Sequence, residues 1–392
     1  MTMIKGIDNP QNKERIAIVT VGYNRKQGLQ RVLDSLNSAS YPSNDVPLVI
    51  SIDASGNQEL YSFAREYVWN HGEKFVNIQE ERLGLRNHIY QCGDLTKYFK
   101  AIALFEDDLW VSPFFYQYLS AAVQKYGNDS RICEISLYRN ERMGNTGFYF
   151  DTLHDGSDCF LWQDVSTWGE CWTEQMWSGF REWLNAHDEE YIMRMDIPDV
   201  VKSWKRAWSK FFIAYEVDTH KYVLFPHESL TTNFNDAGGE HGGGSNIVQV
   251  NVLHGLKQYT FNKVEEMVSY DIYSNNELLY KWLPKQYEGQ VCLDLYGSRN
   301  EYHKRYVLSM MDLPFKVVER WGLEMRPLEL NIFYKIKGDG IRLYELAINR
   351  ESKKHFLPEV VPYMLRGFKV QLLFKYVFSA ACNKIVNKLR KH

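Results

Sequence analysis

At 392 residues the chain exceeds one typical domain, so a large domain with an appendage is expected. Apolar residues reach 45% and aromatics 15%, enough for a substantial core, and a formal charge of −3 leaves no electrostatic footprint for nucleic acid. Six cysteines without a C-x-x-C pair argue against zinc and for the reduced thiols of a cytoplasmic protein. The polar start has no signal-like apolar stretch, and no apolar run is long enough to span a bilayer.

The first element is predicted over Arg15–Val21, where Ile16 to Val19 form an apolar run that Gly22 and Asn24 break. Gln27–Ser38 follows as a helix, with Leu29, Val32, Leu33 and Leu36 at helical spacing. Val46–Ile52 reads as the next strand and ends at Asp53; a helix over Ser62–Asn70 and a short strand over Phe75–Gln79 come after it. Ala101–Phe105 is a further buried strand that runs straight into Glu106-Asp107-Asp108, and Pro113–Tyr126 resumes a helix. Strand alternating with helix predicts an α/β fold with a mostly parallel central sheet and a nucleotide-binding half. In such sheets ligands bind beyond the carboxyl ends of the strands, where Thr20 to Arg25, Asp53 and Glu106 to Asp108 fall.

Beyond Arg139 the pattern turns irregular and rich in tryptophan, and a glycine-rich segment, Gly238 to Gly244, carries His241. Val291–Tyr296 reads as a strand, and Leu328–Phe333 with Gly340–Leu346 as a β pair. The expected division is 1–268 for the main domain and 269–392 for a smaller α+β accessory region. That region ends in 366–392, which holds seven lysines and arginines, no acid and apolar residues near helical spacing. A basic amphipathic helix of this kind rests on anionic lipid or packs on its own domain.

Three consecutive acids at a strand end repel one another unless a cation lies among them, and hard divalent ions such as Mg²⁺ or Mn²⁺ prefer oxygen ligands. Mg²⁺ takes one or two protein carboxylates and completes its shell with phosphate and water. The run AIALFEDDLWVSPFF resembles the Asp-x-Asp-type motif of GT-A glycosyltransferases, in a Glu-Asp-Asp form. IAIVTVGYNR, VISIDASG and ERLGLRNHI resemble other segments of that fold. The Glu-Asp-Asp-Leu form followed by Ser-Pro-Phe-Phe is most similar to the Golgi N-acetylglucosaminyltransferase I type. STWGECW and FPHESLTTNFNDAGGEH resemble bacterial polysaccharide glycosyltransferases of family 2 character, and the likeness covers Arg15 to Leu253.

The resemblance implies an enzyme moving a hexosyl or N-acetylhexosaminyl group from a nucleotide-diphosphate donor, a UDP-sugar, to an oligosaccharide or lipid-linked saccharide, with inversion, in bacterial surface polysaccharide synthesis. Thr20, Tyr23 and Arg25 would line the nucleotide, with Arg25 near phosphate, and Asp53 would accept hydrogen bonds from ribose or base. Asp108 would bind the divalent metal, Mn²⁺ or Mg²⁺. Asp107 would contact sugar, ribose or a metal-bound water, and Glu106 would orient the donor sugar. Arg82 and Arg86 could offset diphosphate charge, and His241 would ligate metal or contact phosphate. The general base is expected at Asp199 or Glu170, because the stretch where that family carries its acid holds Lys205 and Arg206 here; Asp236 and Glu216 come next. The tail would place the protein peripherally on the inner face of the membrane. A sugar nucleotidyltransferase would need more glycines than VTVGYNRKQG provides, and a non-catalytic carbohydrate-binding protein would not need the intact acids.

Overall fold

The computed structural model describes residues 6–144, 146–236, 248–346 and 355–366, with 372, 374–375, 377–379 and 381–382 of the tail. The chain forms two compact units: Met1–Glu141 with Thr152–Leu278, and Arg142–Asp151 with Leu279–His392.

In the first unit the opening alternation is β1 (Ile16–Gly22), α1 (Lys26–Asn37), β2 (Leu48–Ile52), α2 (Gln58–Glu66), β3 (Lys74–Ile78), α3 (Gly84–Gly93) and β4 (Ala101–Glu106). Next come β5 (Leu109–Val111), α4 (Phe115–Tyr126), β6 (Ile132–Ser136), β7 (Cys159–Trp162), β8 (Glu170–Thr173) and α5 (Glu174–Ala186). The short α6 (Glu189–Arg194) and α7 (Asp199–Lys202) lead to α8 (Ser209–Asp218), β9 (Tyr222–Pro226), β10 (Thr231–Asn233) and β11 (Ser269–Tyr270). The strand order of the central sheet is β11-β7-β9-β6-β8-β4-β1-β2-β3. β3, β2, β1 and β4 run parallel, β8 is antiparallel to both β4 and β6, and β6 pairs in parallel with β9. The fold class is therefore the expected α/β, with a mostly parallel sheet.

β1, β2 and β4 are buried along nearly their whole length, which is why they read as apolar runs without alternation. α1 turns Leu29, Val32, Leu33 and Leu36 onto the sheet, each about 1.5–3 kcal/mol of burial. These first elements lie within a residue or two of their predicted bounds. α2 is the exception: the expected helix over Ser62–Asn70 is Gln58–Glu66. The Asn57 side chain accepts the Leu60 N–H at 3.1 Å and starts the helix early, and Tyr67 is already extended.

The second unit holds α9 (Leu279–Trp282), β12 (Val291–Leu293), β13 (Tyr306–Ser309), β14 (Met311–Asp312) and β15 (Lys316–Trp321). It continues with α10 (Leu330–Phe333), β16 (Ile341–Glu345), β17 (His355–Phe356) and α11 (Val360–Met364). Its four-stranded sheet has the order β12-β13-β16-β15, and Val307, Met311, Leu313 and Tyr344 form a buried cluster. The expected pair of Leu328–Phe333 with Gly340–Leu346 is not formed. Leu330–Phe333 is helical, and β16 pairs instead with β13 and β15. The buried Asn331 explains this. Its Oδ1 accepts the Glu324 and Met325 N–H at 2.8 and 3.0 Å, and its Nδ2 donates to Met325 O and Leu328 O at 3.0 and 2.8 Å. Side-chain bonds to the local backbone compete with a sheet ladder. No disulfide joins cysteines among the described residues, and no described helix is long and apolar enough to cross a membrane.

Candidate active site

The parallel register puts the ends of β1, β2 and β4 side by side: Gly22 pairs with Ile52, and Val21 with Glu106. Tyr23 to Arg25, Asp53 and Glu106 to Asp108 thus leave the sheet at one edge. Close packing fixes the acidic segment there, since a Cβ on Gly28 of α1 would lie 2.4 Å from the Asp107 carbonyl oxygen. The antiparallel ribbon of β5 and β10 brings Asn233 opposite Leu109, next to Asp108.

Arg25 grips this segment. Its Nη2 donates to Asp107 Oδ1 and its Nε to Asp107 Oδ2 at 3.2 Å, while Nη2 stands 3.6 Å from Asp108 Oδ2. Asn233 Nδ2 donates to the other Asp108 oxygen at 3.1 Å, and Phe234 N–H to the Asp108 carbonyl at 2.8 Å. Burial raises the Asp107 pKa to about 6, with Arg25 limiting the rise. Burial also raises Asp108, against the pull of Arg25 and the Asn233 hydrogen bond. Burial works against the Arg25 charge, but Asp107, Asp108 and Glu106 outweigh it and raise its pKa. The two-point contact of a fork with a carboxylate makes this an ionised pair at neutral pH. Glu106 is held well above the carboxylate range by burial and by Asp108, Glu170 and Asp107.

Asp53 is buried and faces protein backbone. Its carboxylate accepts the N–H groups of Ala54 at 2.9 Å, Leu83 at 2.8 Å and Gly84 at 2.9 Å, tying the start of α3 to the end of β2. Below it, the Ser51 hydroxyl and His88 Nε2 lie 2.7 Å apart. Tyr23 is 39% exposed and carries the Arg82 guanidinium 4.8 Å above its ring. Arg86 donates to the carbonyls of Lys205 and Arg206 at 2.8 and 3.3 Å and covers the Phe211 ring. Thr20 is fully buried in β1, and its hydroxyl has no partner among the described residues.

Because β8 runs against β4 and β6, it begins at the same edge and sets Glu170 opposite Leu104 and Ser136. Glu170 is fully buried. Burial, then Glu134 and Asp108, holds its carboxyl well above the usual range, and one of its oxygens has no partner among the described residues. Glu134 and Glu216 are buried and raised in the same way. Asp199 is exposed in the first turn of α7. Asp236 forms a two-point ion pair with Arg31, whose guanidinium lies 4.0 Å from the Phe234 ring centroid. His241 lies outside the described residues.

The structure thus brings together Arg25, Glu106, Asp107, Asp108 and Glu170, with Asp53 and Thr20 behind them. Sequence reasoning missed Asn233, Gly28 and Arg31. The signals were an Asn three residues before Asp236 and a glycine in the first turn of an otherwise regular helix. Among the described residues no group of three or more His, Cys, Asp or Glu is arranged to hold a metal. Two adjacent carboxylates with a guanidinium between them do suit a divalent ion of the kind that takes one or two protein carboxylates and fills its shell from phosphate and water.

No protein-family model and no curated protein matches the sequence. Solved structures similar to this fold include GT-A-type glycosyltransferases. A mannosyltransferase from Pyrobaculum calidifontis, in complex with GDP-Man and Mn²⁺, is 12% identical over 61% of this chain and 62% of its own, with a TM-score of 0.37. GalNAc-T7 with UDP, GalNAc and Mn²⁺ is 14% identical over 54% of this chain and 42% of its own, with a TM-score of 0.38. S. aureus TarS 1-349 in complex with UDP-GlcNAc is 10% identical over 58% of this chain and 60% of its own, with a TM-score of 0.36. The chain matches less than two thirds of the length of each.

Proposed function

We propose that the chain is a divalent-metal-dependent glycosyltransferase that moves a hexosyl or N-acetylhexosaminyl group from a UDP-sugar to a saccharide acceptor with inversion. The observation that carries this reading is the meeting of Arg25 with Asp107 and Asp108 at the carboxyl edge of a parallel sheet. That edge is where α/β sheets bind nucleotides, and the site combines oxygen donors for a cation with a fork-shaped donor for phosphate.

In transfer, an acceptor hydroxyl attacks the anomeric carbon, its proton passes to a base and the nucleoside diphosphate leaves. Asp108, with Asp107 beside it, would hold the Mg²⁺ or Mn²⁺ that neutralises charge on the departing diphosphate. Asn233 keeps Asp108 in position for that task. Glu106 would orient the donor sugar. Tyr23, with Arg82 stacked on it, forms an exposed wall suited to the nucleotide, and Asp53 supports it from behind through Leu83 and Gly84. Glu170 and Asp199 remain the two proposed bases. Glu170 sits with the acids, and burial pushes its carboxyl well above the usual range, whereas Asp199 is exposed. His241 in the glycine-rich segment is a proposed second contact to metal or phosphate.

The same reading places the acceptor at a membrane surface, as a lipid-linked saccharide of bacterial polysaccharide synthesis. Its support is the tail. Phe374, Val377, Phe378 and Ala381 fall at i, i+3, i+4 and i+7 on helical backbone, and all are exposed, Phe374 at 73% and Phe378 at 74%. An exposed apolar stripe within an acid-free basic run suits an anionic leaflet.

The test is release of nucleoside diphosphate from a panel of nucleotide sugars with Mn²⁺, against the same panel with excess chelator and with Asp108→Asn. Turnover that falls about a hundredfold or more in both controls is expected. Full turnover in either control, or no nucleotide sugar bound or turned over by the folded protein, overturns the reading.

A further inference from the structure

We infer that Arg25 is a built-in counter-ion that occupies the cation position between Asp107 and Asp108, and that it must exchange these carboxylates for the donor's diphosphate before a divalent metal binds tightly. The inference rests on the proposed function, since it takes the acidic edge as the metal site.

The geometry carries it. Arg25 uses two of its nitrogens on Asp107, and the same Nη2 faces Asp108 Oδ2 at 3.6 Å. The other Asp108 oxygen is engaged by Asn233, so the oxygen turned toward Arg25 is the one left for a metal. Both acids are buried, and Arg25 itself is largely covered, with 24% of its side chain exposed. A divalent ion between these carboxylates would share a poorly solvated pocket with a guanidinium that is never deprotonated. The two cations exclude each other unless an anion arrives with the metal. The nucleotide's diphosphate is such an anion, and a guanidinium suits it as well as it suits a carboxylate. Arg25 Nη1 is buried and has no hydrogen-bond partner among the described residues, so the group keeps an unused donor for a phosphate oxygen. It follows that metal and nucleotide each tighten the other's binding, and that the nucleotide-free protein binds metal weakly.

Arg25→Gln removes the competing charge and leaves a shorter, neutral polar side chain. The experiment is Mn²⁺ titration of nucleotide-free protein, followed by the loss of the free-ion paramagnetic resonance signal, for wild type, Arg25→Gln and Arg25→Lys. Arg25→Gln should bind Mn²⁺ roughly tenfold more tightly than wild type, within the usual range of coupling between two ligands. Arg25→Lys keeps a charge without the fork and should fall between them. Thermal unfolding gives a second readout: Mn²⁺ alone should stabilise Arg25→Gln more than wild type, because the ion replaces the lost partner of Asp107. Equal or weaker Mn²⁺ binding by Arg25→Gln, with Arg25→Lys also unchanged, overturns the exchange while leaving the metal site standing. Absence of Mn²⁺ binding by all three chains, with uridine diphosphate as well as without it, overturns the metal site and the exchange together.

Discussion

Asp53→Asn tests how the nucleotide-binding edge is held. The carboxylate takes three backbone N–H groups, from Ala54, Leu83 and Gly84, at 2.8 to 2.9 Å, and the last two open α3. An amide of the same shape keeps one acceptor oxygen and turns an NH₂ donor toward an N–H donor. One charge-assisted bond worth about 1.5–3 kcal/mol is lost, and a sheltered N–H goes unpaired at about 1–3 kcal/mol. Removing negative charge from the helix start adds about 0.3–1 kcal/mol. These terms overlap, so a loss of about 3 kcal/mol is expected. Urea unfolding gives that number, and amide exchange over Leu83 to Ile89 localises it. Nucleotide affinity should weaken only as a consequence, through Tyr23 and Arg82. If Asp53→Asn loses less than about 1 kcal/mol, keeps exchange protection at Leu83 and Gly84 and still binds nucleotide poorly, Asp53 contacts the nucleotide directly and the positioning argument fails.

Three further outcomes are expected. One of Glu170→Gln or Asp199→Asn should lower turnover by roughly a hundredfold or more at unchanged donor affinity; near-normal turnover in both would move the base to Asp236 or Glu216. His88 is buried and its pKa falls to about 4, so the unfolded chain binds the proton first as pH drops below 6.5. Its contribution is complete above pH 6.5 and is lost as pH falls toward 4, about 2 kcal/mol by pH 5; in urea unfolding at pH 7 and pH 5, His88→Gln should lose less stability than wild type over that interval. The full chain should co-sediment with anionic vesicles at low salt and release as salt rises, and a chain ending at Leu365 should not bind; equal binding by both would assign the tail to packing.

What could be read from the sequence follows burial. β1, α1, β2 and β4 were legible because two-sided burial makes a strand an apolar run and one-sided burial gives α1 its stripe. The second half of the sheet was not. α8 buries every residue from Ser209 to Glu216, so it has no polar face to set a period. β8 is four buried residues beginning with a glutamate, and it reads as a break until its partners are known. α2 was misplaced because its start depends on one capping side chain, and the 328–333 segment because one buried asparagine decides it. Of the site, the position of the acids at a strand end was visible. Their partners were not, because Arg25 lies 82 residues from Asp107 and Asn233 lies 125 from Asp108.

The acids of the first unit divide by what they face, and that division bears on chemistry. Asp107 has a guanidinium on both oxygens, and Asp108 has an asparagine on one oxygen and that guanidinium 3.6 Å from the other. Such environments keep a carboxylate charged and available to a cation. Among the described residues Glu134 has the Trp172 indole N–H, at 3.0 Å, on one oxygen and no partner on the other, and neither oxygen of Glu216 has a partner. Burial without a cation keeps these groups protonated, since an isolated ionised carboxylate in that setting is far too costly. Glu170 stands at the boundary, its carboxyl raised by burial like the inner acids but placed opposite Leu104, two residues before Glu106. A cation arriving at Asp108 would lower the pKa of Glu170 toward the range in which it can accept a proton. Asp108, by holding such a cation, would thus favour proton acceptance at Glu170 as well as departure of the diphosphate in the proposed reaction. Under the proposed function, a base at Glu170 would depend on the metal, whereas a base at Asp199 would act from an exposed position on α7.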